Sequence, residues 1–391
     1  MRYDFDTVLD RRHTHSLKWD HCRSQFGLDD VIPMWVADMD FAAPPAVVEA
    51  VARRAAHGAY GYVLVPESFW ESAIAWLRKR HGWVVDRRWL ARSPGVVPAL
   101  SLCVNAFTQP GDSVIVQTPV YYPFFRAVEN NGRRLVRNPL VVVGGQYRMD
   151  LADLERKIDA STRLVILCSP HNPVGRVWTR EELERFGEVC VRRDLVVLSD
   201  EIHMDLTLHG QRHVPLATIS PDLAARTLAC VAPSKTFNVA GLSMSLVIAS
   251  NPALLARYTA QFDAAGLIIA SLFGTVALEA AYRGGEEWLD QLLEYLAANV
   301  DFTDRFIRER IPSLRFVRPE GTYLALIDCR QLGMKQAELD DFFLRSAGVY
   351  FDSGPWFGDE LAGFERINLA CPRRTLTEAL ERIERAVRDR T

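Results

Sequence analysis

The chain has 391 residues, two to three domains' worth at ~150 residues each, and 49% apolar with 24% charged residues exclude a disordered polymer. Lys plus Arg number 46 and Asp plus Glu 49, a net charge of −3 that argues against a nucleic-acid partner. No apolar run approaches the ~18 residues of a membrane span, the charged start Met1–Asp6 lacks a signal peptide's apolar stretch, and seven scattered cysteines form no Cys-x-x-Cys pair, so a reducing cytoplasm is expected.

In chain order, the first 44 residues are polar and aromatic and read as an arm packing back onto a domain. From about residue 95 to 250, short apolar runs alternate with turns and amphipathic helices. Val114–Gln117, Arg163–Cys168, Leu195–Ser199, Thr227–Val231 and Ser245–Ala249 are continuously apolar, as suits strands of a parallel sheet buried on both faces. Thr179–Glu182 has the form of a capping box, and Leu183, Phe186 and Val189 or Cys190 follow at helical spacing. Glu286–Arg310 reads as one long helix, followed by short strands at Leu314–Val317 and Tyr323–Asp328. A second capping box, Thr375–Glu378, is expected to open a final helix with Leu376, Leu380, Ile383 and Val387 on one face. The expectation is an α/β protein: a large, mainly parallel α/β domain over 45–283 and a smaller α+β domain over 284–391.

Only five basic residues are Lys (Lys18, Lys79, Lys157, Lys235, Lys335), against 41 Arg, so each Lys merits inspection. Lys235 stands just past one apolar strand, Asp200 just past another, and Asn172 past a third. An open α/β sheet binds its ligand at those carboxyl ends. A desolvated Lys has a neutral amine that can condense with an aldehyde, and a buried Asp needs a positive partner such as a protonated pyridine. Lys with Asp in this arrangement is the pattern for pyridoxal phosphate (PLP). Gly95 precedes a helix whose first N–H groups can hold phosphate, and Tyr121, past another strand end, can lay its ring on the cofactor. Singly, each residue is as well explained by a turn or a helix start; together, in this order, they are not.

The chain resembles fold-type I PLP enzymes, the aspartate-aminotransferase superfamily, and more closely the MalY/PatB-type cystathionine β-lyases or C–S lyases. The resemblance runs nearly end to end. It is carried by Pro33–Phe41 (PMWVADMDF), Gly61-Tyr62, Pro94–Pro98 (PGVVP), Thr118–Pro123 (TPVYYP), Ser169–Pro173 (SPHNP), Ser199–Asp205 (SDEIHMD), Ala232–Asn238 (APSKTFN) and Arg366–Pro372 (RINLACP). It implies a fold-type I PLP-dependent enzyme in which Lys235 carries the cofactor and moves the substrate's α-proton, and Asp200 holds the pyridine nitrogen protonated. Asn172 and His203 would lie near the ring oxygen, Tyr121 on the ring, and Gly95, Val96 and Ser234 around the phosphate. Arg366 would clamp the substrate carboxylate, with Trp35 and Tyr323 beside the substrate. Tyr62 would reach the phosphate of a neighbouring subunit, making the working unit a homodimer with shared sites.

The implied activity is release of thiol, pyruvate and ammonia from cystathionine or another S-substituted L-cysteine. The alternatives are a PLP aminotransferase or decarboxylating oxidative deaminase on a similar conjugate, and a non-catalytic regulatory protein on the same fold. Ser243, the apolar Gly266–Phe273 and the bulky Gly348–Trp356 depart from the family pattern and bear on the substrate. Trp35, Tyr323, Phe351 and Trp356 read either as a wall for a large S-substituent or as core aromatics.

Overall fold

The computed structural model describes residues 2–390. A seven-stranded sheet forms its centre, built in chain order from β1 (Leu90–Ser93), β2 (Ser113–Thr118), β3 (Arg134–Pro139), β4 (Thr162–Cys168), β5 (Val196–Asp200), β6 (Thr227–Val231) and β7 (Ser245–Ile248). Their spatial order is β1-β7-β6-β5-β4-β2-β3. Strands β2 to β6 pair in parallel. Strand β7 runs antiparallel to both β6 and β1, so the sheet is mixed and the parallel reading of Ser245–Ala249 is corrected. Continuous apolarity reports burial on both faces, which β7 shares; it does not report direction. The link from β6 to β7 holds only the four-residue helix Pro233–Thr236 and one 3-10 turn, too little helix to carry the chain back along the sheet.

The helix Arg180–Arg192 opens on the expected capping box: Glu182 N–H donates to Thr179 Oγ1 at 3.2 Å, and Thr179 N–H donates to Glu182 Oε2 at 2.9 Å. Its buried face is Leu183, Phe186, Val189 and Cys190. The second box is not formed. The last helix, Arg373–Arg390, starts directly after Pro372, and Thr375 is buried inside its first turn, not placed as a cap. Proline's fixed φ suits the start of a helix, so Pro372 sets the boundary earlier than the box motif suggests. The apolar face Leu376, Leu380, Ile383 and Val387 is buried as expected.

A second, antiparallel sheet joins β8 (Arg315–Val317), β9 (Leu324–Asp328), β10 (Asp352–Ser353) and β11 (Phe364–Asn368) in the order β8-β9-β11-β10. The N-terminal segment returns to this part of the molecule: Ile32–Pro33 pairs in parallel with Val349–Tyr350. Phe5 packs edge-on against Phe41 and Trp288, at centroid distances of 5.2 and 5.5 Å. Phe5, Met34, Trp76, Leu246, Leu289 and Leu380 belong to one apolar cluster, so arm, central sheet and C-terminal helices share a core. Lys18 is fully buried, its Nζ 2.7 Å from Asp40 Oδ2; this spared lysine is a structural ion pair of the arm. Among the described residues no helix is long and apolar enough to cross a membrane.

Candidate active site

The carboxyl ends of β2, β4, β5 and β6 deliver Tyr121, Asn172, Asp200 and Lys235 to one cavity of about 190 Å³. Gly95, Val96, His203 and Ser234 also line it. Eight of the residues singled out in the sequence therefore line one cavity. Gly95 stands at the start of the helix Val96–Phe107, which has no side-chain cap, so its leading N–H groups remain available to an anion. Ser234 and Lys235 sit in the short helix directly after β6.

The Lys235 ammonium donates to the Ala37 carbonyl at 2.6 Å. Burial pushes its pKa down to about 8, against the pull of Asp38. Asp200 accepts the Ile202 N–H at 3.0 Å and forms no ion pair among the described residues, the attraction of Lys235 acting from beyond that distance. Burial raises its carboxyl to about 7. Burial pushes His203 down to about 3, keeping it neutral, and its Nδ1 is a buried atom without a hydrogen-bond partner. Tyr121 is held up to about 12, also chiefly by burial.

Arg366, on β11, is fully buried and does not line this cavity itself; it reaches the lining through Asn172. Its Nη1 donates to Asn172 Oδ1 at 3.1 Å and its Nη2 to the Trp35 carbonyl at 2.7 Å, while Asp352 forms an ion pair with Nη2. Its Nε is a further buried atom without a partner. Trp35 thus meets the site through its backbone; its ring lines the adjoining cleft. Tyr323 is buried, donates from its hydroxyl to the Ala37 carbonyl at 2.9 Å, and stands edge-on to His203 at 6.1 Å. Phe351 is a buried residue packed on Phe343 at 5.2 Å, whereas Trp356 is exposed. Tyr62 is 91% exposed and lies outside the cavity of its own chain.

Four contributors escaped the sequence reading. Ala37 acts through its carbonyl, which carries no side-chain signal. Asp352 meets Arg366 because the two residues stand opposite each other in the β10–β11 register. Asp205 and Glu201 lie in the SDEIHMD string beside Asp200 and His203, where the density of acidic and His residues was a usable signal. Glu201 accepts from His213 Nε2 at 2.8 Å and Asp205 from His81 Nε2 at 2.8 Å, so both brace the loop that carries Asp200 and His203.

The donor set fits pyridoxal phosphate. An amine able to condense lies at Lys235, a buried carboxylate lacking a cation at Asp200, an unpartnered Nδ1 at His203, and uncapped helix N–H groups at Gly95 and Val96.

The model of aminotransferases of class I and II matches residues 29–383. The chain belongs to that family. It is 43% identical to the cystathionine β-lyase PatB of Bacillus subtilis over 385 residues, covering 98% of this chain and 100% of that one. Protein MalY of Escherichia coli is 32% identical over 390 residues, with 99% of each chain covered. The structure of cystalysin from Treponema denticola, which contains a pyridoxal 5'-phosphate cofactor, superposes with a TM-score of 0.97 at 38% identity, covering all of both chains. The fold is accordingly the fold-type I α/β architecture expected from the sequence.

Proposed function

We propose that this protein is a PLP-dependent C–S β-lyase that releases thiol, pyruvate and ammonia from an S-substituted L-cysteine such as cystathionine, in the cytoplasm. The observation that carries the reading is the convergence of the Lys235 amine and the Asp200 carboxylate on one cavity, with the Arg366 guanidinium bonded to Asn172 of its lining. The full-length likeness to PatB and cystalysin favours the lyase among the reactions such residues can serve.

The bound cofactor supplies an electron sink that makes the substrate's Cα–H acidic. Arg366, braced by Asn172, the Trp35 carbonyl and Asp352, grips the α-carboxylate and fixes the direction of the Cα–H bond. Lys235 takes the Cα proton at Nζ; a pKa near 8 leaves a useful neutral fraction of the amine at neutral pH. The Cβ–S bond then breaks and its electron pair leaves with sulfur. With the cofactor bound, Asp200 would keep the ring nitrogen protonated, and that nitrogen would be the positive partner that a buried carboxylate lacks here. Tyr121 walls the cavity, and Gly95, Val96 and Ser234, which also line it, would hold the phosphate.

This reading keeps residues 1–44 as an arm, 45–283 as the cofactor domain and 284–391 as the smaller domain. The working unit is a homodimer in which Tyr62 completes the neighbour's phosphate site; the exposed Tyr62, Leu64, Ile268 and Ile269 support it, as apolar side chains left to water in one chain.

Incubating the cofactor-loaded protein with cystathionine and with S-benzyl-L-cysteine tests the activity. Pyruvate and free thiol in equal amounts are expected. A keto acid that retains its sulfur, with no thiol released, makes the protein an aminotransferase instead.

A further inference from the structure

A second cleft, of about 430 Å³, opens beside the Arg366 site and is walled by aromatic rings. His21, Trp35, Tyr122, Tyr350 and Trp356 supply the rings; Arg126 and Glu129 also line it. Three of these walls adjoin the first site. Trp35 gives its carbonyl to Arg366, Tyr122 follows Tyr121 with ring centroids 5.3 Å apart, and Trp356 precedes Phe357, over whose ring the Arg366 guanidinium lies at 4.9 Å. These contacts set the cleft next to the residues that surround Arg366.

Trp35 is buried, but the other four rings are not core filling. Trp356 is 41% exposed, and His21, Tyr122 and Tyr350 are only half-buried, so the cleft leaves their surfaces to solvent. Their planes differ: His21 meets Trp35 at 4.7 Å and 39°, Trp35 meets Tyr350 at 5.2 Å and 59°, and Tyr122 meets Trp356 at 6.2 Å and 83°. Such a set offers both faces and edges to one occupant, which complements the quadrupole of a flat ring. Arg126 lies over the Tyr122 ring at 5.1 Å and Glu129 also lines the cleft, so a charged occupant of either sign would meet like charge there.

Resting on the lyase reading, we propose that this cleft binds the distal part of the substrate's side chain, the thiol that departs, and that this part carries a flat, uncharged aromatic or heteroaromatic ring. Trp356 and His21 select for the ring.

Calorimetry on the cofactor-loaded enzyme tests this with two amino acids in which CH₂ replaces sulfur, so that nothing can be eliminated. One, 2-amino-5-phenylpentanoate, ends in a phenyl ring; the other, 2-amino-5-cyclohexylpentanoate, ends in its saturated counterpart. Burial of apolar area alone favours the larger cyclohexyl group. Ring recognition reverses that order, and the phenyl compound is expected to bind ~3- to 10-fold more tightly. Trp356→Ala, a change at an exposed position, should bring the ratio towards one, and His21→Ala should lower it. A ratio below about threefold, or one that both variants leave intact, overturns the proposal. Binding of these compounds involves no thiol release. A retained phenyl preference with no thiol freed from S-benzyl-L-cysteine therefore removes the lyase reading and leaves the ring site standing.

Discussion

Thr236 Oγ1 donates to Asp205 Oδ2 at 2.8 Å, tying the residue next to Lys235 to the loop that carries Asp200 and His203. Trp76 Nε1 and His81 Nε2 converge on the same carboxylate, at 3.1 and 2.8 Å from Oδ1. Burial alone would raise the Asp205 carboxyl, but these donors hold it below the ordinary carboxylate value. A depressed value means that its stabilising contribution is present at neutral pH and is lost as pH falls through the carboxylate range. Asp205→Ala strands three buried donors and is expected to cost about 3 kcal/mol in urea unfolding at pH 7, with a parallel fall in kcat. Asp205→Asn keeps an acceptor and should lose less. A loss under about 1 kcal/mol for the alanine variant would show that the tie carries little weight.

The Lys235 amine, pushed down to about 8 by burial, sets the pH dependence of cofactor loading. Only the neutral amine condenses with an aldehyde, so cofactor-free protein should take up PLP faster as pH rises through about 8. Stopped-flow absorbance measures that rise, and borohydride should then fix the cofactor on the peptide containing Lys235. Lys235→Ala should show neither effect. A rate that stays flat from below to above pH 8 rules out the neutral Lys235 amine as the attacking group.

Asp200 has the opposite linkage to Asp205. Burial raises its carboxyl from 3.8 to about 7 in the cofactor-free protein. A carboxyl raised by folding weakens the fold as pH climbs from the unfolded value to the folded one, and the whole penalty is present above about 7. Asp200→Asn removes the charge, so the cofactor-free variant should gain about 4 kcal/mol over wild type at pH 8 and little at pH 4, measured by denaturant unfolding. In the loaded enzyme the same substitution should lower kcat by ~10²-fold, because a neutral pyridine is a poor electron sink. A variant that loses stability at pH 8 would contradict an uncompensated buried charge.

Much of the fold and the site was legible because both depend on local patterns. Apolar runs mark the sheet, and chemically distinctive residues at the strand ends mark the cavity. The capping box at Thr179 could be read because its partners lie three residues apart. The features that were missed depend on packing. The direction of β7 follows from the connection before it. Thr375 is claimed by burial before it can cap. Asp352 reaches Arg366 through strand register, and the Ala37 carbonyl reaches Lys235 through the path of a segment 198 residues away. The aromatic cleft joins His21, Tyr122 and Trp356, which no sequence spacing connects.

Tyr62 gives the last prediction. It is 91% exposed, on an irregular segment before the helix Glu67–His81, and it takes no part in the cavity of its own chain. A tyrosine that serves the neighbour's phosphate has to be free in this way until a second subunit covers it. An obligate interface of this kind should bury more than ~2,000 Å². Tyr62→Ala and Lys235→Ala proteins should each be impaired, the second almost completely. Co-refolded, they should form some heterodimers in which one site carries both lesions and the other carries neither. Activity should then rise above the sum of the separate variants, while sedimentation reports a dimer. A monomer at assay concentration, or no recovery once mixed dimers are shown by mass spectrometry, would place Tyr62 outside the shared site and leave its exposure without a functional account.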